Sequence, residues 1–244
     1  MNQAQGVQVT QTIDAAGNAL PQVLVWDLPV RVFHALLILS IAGAYVCAEG
    51  ERWRHVHVTL GYTMAGLIAF RLAWGIAGTR FARFASFVRG PAAVGRYLAS
   101  LARGRPEHHT GHNPAGAVAI VALLGAALLT GATGWASYND VGGEWAKDLH
   151  EAVANGMMAI AAVHALGVVV GSWMHRENLV LSMINGRKRG HPDENIGRTW
   201  GMLGVLIIGA VVYFWIAQWR GSAPAPVAAP VALGSDFNRA HTAR

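Results

Sequence analysis

The chain has 244 residues, of which 53% are hydrophobic and only 13% charged, and its formal net charge is +6. Soluble globular proteins carry roughly 25% charged residues, so the composition favours an integral membrane protein. The basic residues fall in loops between apolar segments, which membrane topology explains better than nucleic-acid binding does. Cys47 is the only cysteine. This excludes an internal disulfide, an all-cysteine iron–sulfur cluster, a zinc finger and the CxxCH attachment of a c-type haem.

Five apolar segments are long enough to cross a bilayer. In chain order they are about Pro29 to Ala48, Val56 to Ala77, Pro114 to Tyr138, Leu149 to Met174 and Trp200 to Trp219. A polar stretch precedes the first of them, so no signal peptide is predicted. Eight tryptophans near the span ends are typical of an aromatic belt: Trp26, Trp53, Trp74, Trp135, Trp145, Trp173, Trp200 and Trp219.

The loops predict the orientation of these spans. Loop 78–113 holds six arginines and one glutamate, and the loop between spans four and five is also basic. The loop between spans three and four holds Asp140, Glu144 and Asp148 with only Lys147. The positive-inside rule then predicts a bacterial inner-membrane protein with a cytoplasmic segment 1–24 and an external Pro/Ala-rich tail 221–244. Within the first basic loop, Pro91 to Arg103 is predicted to be a helix in the headgroup layer or, equally well, a turn packed on the bundle.

Four histidines in or at the ends of the spans are the candidate metal ligands. An imidazole inside a membrane is costly unless it bonds to something. His150 and His164 share one face of span four and lie about 21 Å apart along its axis. The predicted topology places His57 at the outer depth of His150, and His34 at the inner depth of His164. The sequence therefore predicts two haems, each held by one of these pairs, and so electron transfer across the membrane.

Each ligand has a simpler alternative. A histidine at a span end is often only an interfacial residue, and His164 could form a structural hydrogen bond. His55 competes with His57, but it lies nearer the water and on another face. His175 could bind a haem propionate or a quinone, although snorkelling to the interface is the simpler role. Solvated loop positions are predicted for four others: His108, His109, His112 and His191.

Small and basic residues around the histidines fit a haem. Gly61 lies one turn after His57, and Ala154, Gly167 and Gly171 lie near the histidines of span four. They would leave flat space for a porphyrin, although small residues are common wherever membrane helices pack. Arg31 and Arg71 could pair with haem propionates, or serve as ordinary flanking charge.

Several motifs in order carry a resemblance to a known family. They are VWDLPVRVFHALL (25–37), RHVHVTLGY (54–62), GTRFARFASFVRGP (78–91), GHNPAG (111–116) and the long segment 149–179. Together they resemble the prokaryotic cytochrome b561 family, which includes the b-type cytochrome subunits of nickel–iron hydrogenases. The resemblance implies an all-α four-helix transmembrane bundle over 25–190 holding two non-covalent b haems, with ligands matching His34, His57, His150 and His164. The fifth span, Trp200 to Trp219 within 191–220, is a departure from that core, and no haem ligand is expected in it.

Three functions fit this pattern. The first is electron transfer between an external redox partner, such as a c-type cytochrome or a dehydrogenase, and the quinone pool. The second is a stand-alone superoxide:quinone oxidoreductase, which the net acidic outer loop 139–149 disfavours because superoxide is an anion. The third is a transporter, for which the spans offer few polar residues besides histidine.

Overall fold

The computed structural model describes residues 20–105 and 107–221. The predicted tail lies almost wholly outside the described residues, as does most of segment 1–24. In chain order the helices are α1 (Leu28–Val46), α2 (Arg54–Ala77), α3 (Phe84–Phe87), α4 (Pro91–Ala102), α5 (Pro114–Tyr138), α6 (Glu144–His175), α7 (Leu179–Asn185) and α8 (Gly201–Gly221). Two three-residue strands, β1 (Gln22–Leu24) and β2 (Arg187–Arg189), and two 3-10 turns, Glu51–Trp53 and Pro192–Glu194, complete the regular elements of this part of the chain.

The five predicted spans are confirmed as helices long and apolar enough to cross a membrane: α1, α2, α5, α6 and α8. Their ends agree with the prediction within a few residues, except at the start of α6. That helix begins at Glu144 rather than Leu149, directly after Gly143, whose φ of 56° is a conformation that glycine adopts readily. The polar turn that follows is helical as well, so α6 projects beyond its apolar part.

Asp27 ties the start of α1 to the end of α2. Its carboxylate caps α1 by accepting a hydrogen bond from the backbone N–H of Val30 at 2.8 Å. It also accepts from Trp74 Nε1 at 3.0 Å and from Thr79 Oγ1 at 2.6 Å. The side chain is only 1% exposed, so these three donors satisfy a buried carboxylate.

The long helices pack as two close pairs, α1 with α2 and α5 with α6, which are joined by contact between α2 and α5. Neither α1 nor α2 packs closely along α6. The core between the helices is apolar and draws on all four: Phe33, Met64, Leu67, Ile68, Leu124, Ala127 and Met157. The four-helix arrangement therefore leaves α6 separated from α1 and α2 over much of its length.

The fifth span packs on the outside of this bundle, against α1 and α2. Gly204 lies against Leu28, so closely that an added Cβ would stand 2.7 Å from Leu28 Cγ. Near the other end, Trp215 Nε1 donates a hydrogen bond to Thr63 Oγ1 at 2.8 Å. The helix is thus fixed to the bundle at two levels.

A cap made of residues 20–27, 78–105, 107–113 and 176–200 closes one end of the bundle. Its strands pair antiparallel, with Gln22 opposite Arg189. The all-α prediction did not include these strands, because three-residue elements give too little periodicity to be recognised. Lys188 Nζ donates to the carbonyl oxygen of His109, and Thr110 Oγ1 donates to Glu194. The three segments that the charge pattern assigned to one side of the membrane therefore do lie at one end of the molecule.

Trp26 is buried in the cap rather than exposed in an aromatic belt. It is 5% exposed and packs with Val23, Val25 and Phe81. The belt interpretation was wrong for this residue because the chain before α1 folds back on the cap instead of leaving the membrane surface. Trp53, Trp135, Trp145 and Trp173, in contrast, are all exposed, as a belt requires.

Candidate functional site

His57 and His150 meet at the end of the bundle opposite the cap. Their ring centroids are 6.1 Å apart, and the two ring planes are almost perpendicular at 88°. Metal–nitrogen bonds to histidine are about 2 Å long, and a ring nitrogen lies roughly 1 Å from its centroid, so two imidazoles on one metal have centroids about 6 Å apart. The observed separation therefore suits two axial ligands of a single metal.

Backbone carbonyl groups hold both rings of this pair. His57 Nδ1 donates to the carbonyl oxygen of Ala44 at 2.9 Å, and His150 Nδ1 donates to that of Thr130 at 3.1 Å. Because a carbonyl can only accept, Nδ1 carries the proton in each neutral ring. Nε2 is then left with its lone pair, which is the form in which histidine binds a metal.

Gly134 gives His150 the room it occupies. A Cβ added at Gly134 would stand 2.9 Å from Cε1 and 3.1 Å from Nδ1 of the His150 ring, closer than such contacts normally come. Thr133, its neighbour on α5, lies 3.3 Å from the same Nδ1 through Oγ1. The sequence analysis missed this contribution of the third span, although the run Gly131 to Gly134 could have indicated a close approach between helices.

His34 and His164 lie near the capped end, close enough for their rings to interact electrostatically. His164 follows His150 by 14 residues on the continuous helix α6, which separates the two levels by about 21 Å. Within the described residues, no hydrogen bond holds the ring of His34 or of His164. The structure thus brings each histidine near the partner that its depth predicted, while ligation itself stays a prediction.

An apolar layer separates the two histidine levels. Met64 follows His57 by seven residues on α2, and Met157 follows His150 by seven residues on α6. Both methionines are buried, at 6% and 5% exposure, and both belong to the central core. Two turns of helix therefore place a dry layer between the two pairs.

The surroundings of the histidines leave room for a planar group. An added Cβ at Gly61 or Gly167 would meet no atom within 4 Å, whereas at Gly171 it would contact Leu179 Cδ1 at 3.3 Å. In addition, α6 makes few contacts with α1 and α2. In the described part of the chain no group of three or more His, Cys, Asp or Glu residues could hold a metal ion. A metal with two protein ligands, its other positions filled by a macrocycle, fits this donor set.

The two arginines proposed for propionates occupy different settings. Arg71 is 3% exposed, donates through Nη1 to the carbonyl oxygen of Ala82 at 2.9 Å, and stacks over Phe84. Arg71 is therefore buried and held by a backbone carbonyl, and its pairing with a propionate stays a prediction. Arg31 donates through Nη2 to the carbonyl oxygen of Ile184, and its buried Nε has no hydrogen-bond partner in the structure. An additional acceptor, such as a carboxylate, would satisfy Arg31.

His112 is partly buried rather than solvated, which corrects the prediction for that residue. Its ring lies between those of Trp26 and Phe87, with both centroids 4.5 Å away, and its buried Nδ1 has no hydrogen-bond partner in the structure. Burial, with a smaller contribution from nearby Arg71, lowers the pKa of His112 to about 3. His34 and His164 also lie within electrostatic range. The segment GHN folds inward because Asn113 caps α5 and turns the chain toward the bundle.

The remaining histidines lie away from both pairs. His55 packs edge-on against Trp219 of α8, with centroids 6.1 Å apart, and so faces away from His57 as predicted. His175 Nε2 lies 3.3 Å from the hydroxyl of Tyr97 on α4, which ties the end of α6 to the cap. His191 is exposed at the surface of the cap.

The uncapped end has an acidic surface. Asp140, Glu144 and Asp148 are all exposed, and they lie in the segment that precedes His150 on the chain. Arg54, which could neutralise them, pairs instead with Glu51 at 3.9 Å and lies over the ring of Tyr138. This end therefore presents unpaired negative charge.

Comparison with known proteins gives one family. The family model described as prokaryotic cytochrome b561 matches residues 25–186. This range is about two thirds of the chain and includes all four histidines of the two pairs. No curated protein and no solved structure matches the chain.

Proposed function

The chain belongs to the prokaryotic cytochrome b561 family of membrane b-type cytochromes, and from this premise we propose that it transfers electrons across the membrane through two b haems. In this proposal His57 and His150 hold the haem of the uncapped end, and His34 and His164 hold the haem of the capped end. The observation that carries it is the perpendicular pair His57 and His150, whose separation and tautomers suit axial ligation.

The haems supply reversible one-electron chemistry, and the protein sets where and at what potential it occurs. The carbonyl groups of Ala44 and Thr130 orient the imidazoles and increase their basicity by accepting the Nδ1 protons. Arg31 and Arg71 offer positive charge for propionates at the capped end. The layer of Met64 and Met157 excludes water from the space between the two levels, so that charge crosses a medium of low dielectric constant.

The two ends suit different partners. The acidic uncapped end is proposed to face outward and to receive a basic redox protein, such as a c-type cytochrome, or an external dehydrogenase. The capped end, rich in arginine, is proposed to lie on the cytoplasmic side of the bacterial inner membrane, as the positive-inside rule predicts. Quinone is the proposed membrane-soluble partner. The exposed carboxylates disfavour the alternative, oxidation of superoxide, because they would repel an anion from the outer pair.

Haem content tests the proposal directly. The purified protein should contain two haems per chain that acidic acetone extracts, as measured by a pyridine haemochrome assay against protein determined by amino-acid analysis. A folded preparation with one haem or none per chain would contradict the diheme assignment. If an external donor reduces both centres and a soluble quinone analogue reoxidises them, the result would support electron flow from the donor to quinone.

A further inference from the structure

A cavity of about 410 Å³ opens in the cap. Three arginines line it from the segment that contains α3 and α4: Arg80, Arg89 and Arg96. Polar residues of two other segments also line it: Glu107, His109, Thr110, His112 and Glu194. These segments belong to the basic loops, so the cavity lies at the end of the spans where a bilayer has its headgroups.

The cavity has an excess of available positive charge. Arg89 and Arg96 form no ion pair within the described part of the chain, and Arg89 and Arg80 make only long hydrogen bonds, to the carbonyl oxygens of Ser86 and Asp193. Two carboxylates also line the wall, so the three arginines leave it with a small excess of positive charge. Glu194 accepts from Thr110 Oγ1 at 2.7 Å and from the backbone N–H of His191, and Glu107 lies 3.8 Å from His109.

Neutral donors complete the wall. Burial lowers the pKa of His109 and of His112, so both rings are neutral near pH 7 and offer N–H groups rather than charge. Guanidinium groups with hydrogen-bonding neighbours are the usual recognition chemistry for phosphate. The cavity therefore suits a phosphate group that carries one or two negative charges.

Exposed apolar side chains in the same segment indicate whether the phosphate belongs to a lipid or is a free ion. Val88, next to Arg89 in the chain, is 47% exposed, and Leu98 on α4 is 50% exposed, so this segment presents apolar side chains outside the cavity at the level of the headgroups. Helix α4 itself is amphipathic, with Tyr97 buried at 2% exposure. A free phosphate ion would gain nothing from these side chains, whereas the acyl chains of a lipid would cover them.

We propose that this cavity, between Arg80, Arg89 and Arg96, binds the headgroup of an anionic phospholipid whose acyl chains lie along Val88 and Leu98. The bound lipid connects α3 and α4 to the bilayer and so holds the cap at the membrane surface. None of the four proposed haem ligands lines this cavity.

Lipid-dependent thermal stability and native mass spectrometry test the proposal on the full-length, haem-containing protein. After delipidation in a neutral detergent, the protein is titrated with phosphatidylglycerol, with phosphatidylcholine or with inorganic phosphate. Phosphatidylglycerol should bind and raise the unfolding midpoint, and the other two should not. Basic residues near a membrane surface contribute about 1 kcal/mol each, so Arg89→Gln with Arg96→Gln should weaken this binding about 30-fold.

Arg103→Gln with Arg105→Gln is the matched control, because it removes the same charge from exposed positions of the same loop outside the cavity wall. This variant should bind phosphatidylglycerol like the unmodified protein. If both double variants bound phosphatidylglycerol equally weakly, general surface charge would explain the binding, and the proposal would be overturned. Equal stabilisation by inorganic phosphate would show a phosphate site instead, and equal binding of both lipids would show no headgroup recognition. Circular dichroism and gel filtration establish that each variant is folded before it is compared.

Discussion

His57 and His150 stand at 88° to each other, 6.1 Å apart, and each is fixed by a hydrogen bond from Nδ1 to a carbonyl of a neighbouring helix. Those carbonyl groups belong to Ala44 on α1 and Thr130 on α5. Helices α1 and α5, which contribute neither ring, therefore orient the pair. All four helices of the bundle thus take part in one site.

Alanine substitutions should separate the two histidine pairs. His57→Ala should remove the low-spin signal of one haem, and His34→Ala that of the other, because a lost axial ligand leaves a single imidazole and a void. His150→Ala should reproduce the first spectrum and His164→Ala the second. Optical redox titration and electron paramagnetic resonance distinguish the two centres. If His57→Ala and His34→Ala abolished the same spectral component, the pairing would be wrong.

Gly134→Ala should perturb the outer pair alone. The new Cβ would stand 2.9 Å from the His150 ring, so the ring must rotate and lose its hydrogen bond to Thr130. We expect lower occupancy and a shifted potential of one haem. Gly131→Ala is the matched control, since a Cβ there meets nothing within 4 Å. Alanine favours helix over glycine by about 1 kcal/mol, so loss of helix stability cannot explain a defect. An unchanged haem spectrum in Gly134→Ala would contradict this contact.

The attachment of α8 can be tested at its closest contact. Gly204→Val forces a side chain into Leu28, and overpacking of this kind costs about 1 to 3 kcal/mol, so the unfolding midpoint in detergent should fall. Gly209→Val, at an open position of the same helix, should leave it nearly unchanged. Trp215→Phe removes the hydrogen bond to Thr63, worth about 0.6 kcal/mol in a membrane protein, and should have a smaller effect than Gly204→Val. Equal effects of the two valine variants would mean that α8 does not pack on α1 through Gly204.

His112 should make the protein less stable in acid. Its pKa is about 3 in the folded protein, against about 6.5 in an unfolded chain. Between these values the unfolded state binds the proton and the folded state does not, so the contribution of His112 is fully present above pH 6.5 and is lost as the pH falls toward 3. Thermal unfolding from pH 7.5 to pH 4.5 should therefore show a shallower decline for His112→Gln than for the unmodified protein. Parallel pH profiles would show that His112 is not held neutral by its surroundings.

Ionic strength should control the reaction with an external partner. Exposed charges are screened beyond about 10 Å at 0.1 M salt, so reduction by a basic c-type cytochrome should slow steeply as salt is added. Changing Asp140, Glu144 and Asp148 to their amides should lower the association rate and flatten the salt dependence in stopped-flow measurements. Glu107→Gln, at the capped end, is the control and should change neither. If superoxide reduced the haems quickly, and at the same rate in the triple amide variant, the stand-alone enzyme would be favoured.

Hydrophobicity and charge were sufficient to predict the spans and the grouping of the basic loops. The spans and the shared side of the basic loops follow from runs of apolar residues and from arginine distribution, which are properties of local sequence. Histidine spacing on a helix likewise predicted the two levels, because 14 residues fix a length and a face.

Contacts between distant segments of the chain could not be predicted from local sequence. Burial of Trp26 and His112 depends on how the cap closes, and the cap joins residues from three separate parts of the chain. The role of Asp27 as a shared acceptor depends on Trp74 and Thr79 as much as on its own position before a Leu-Pro helix start. A capping residue can be predicted from sequence, but its tertiary partners cannot.

The strand pair of the cap imposes an order on assembly. Gln22 leaves the ribosome before the first span, whereas its partner Arg189 follows the fourth, so the two can pair only after most of the chain has been synthesised. Until then the first segment has no partner strand, and the side of the bundle near His34 and His164 has no lid. The cap near His34 and His164 is therefore completed only after the fourth span has been synthesised.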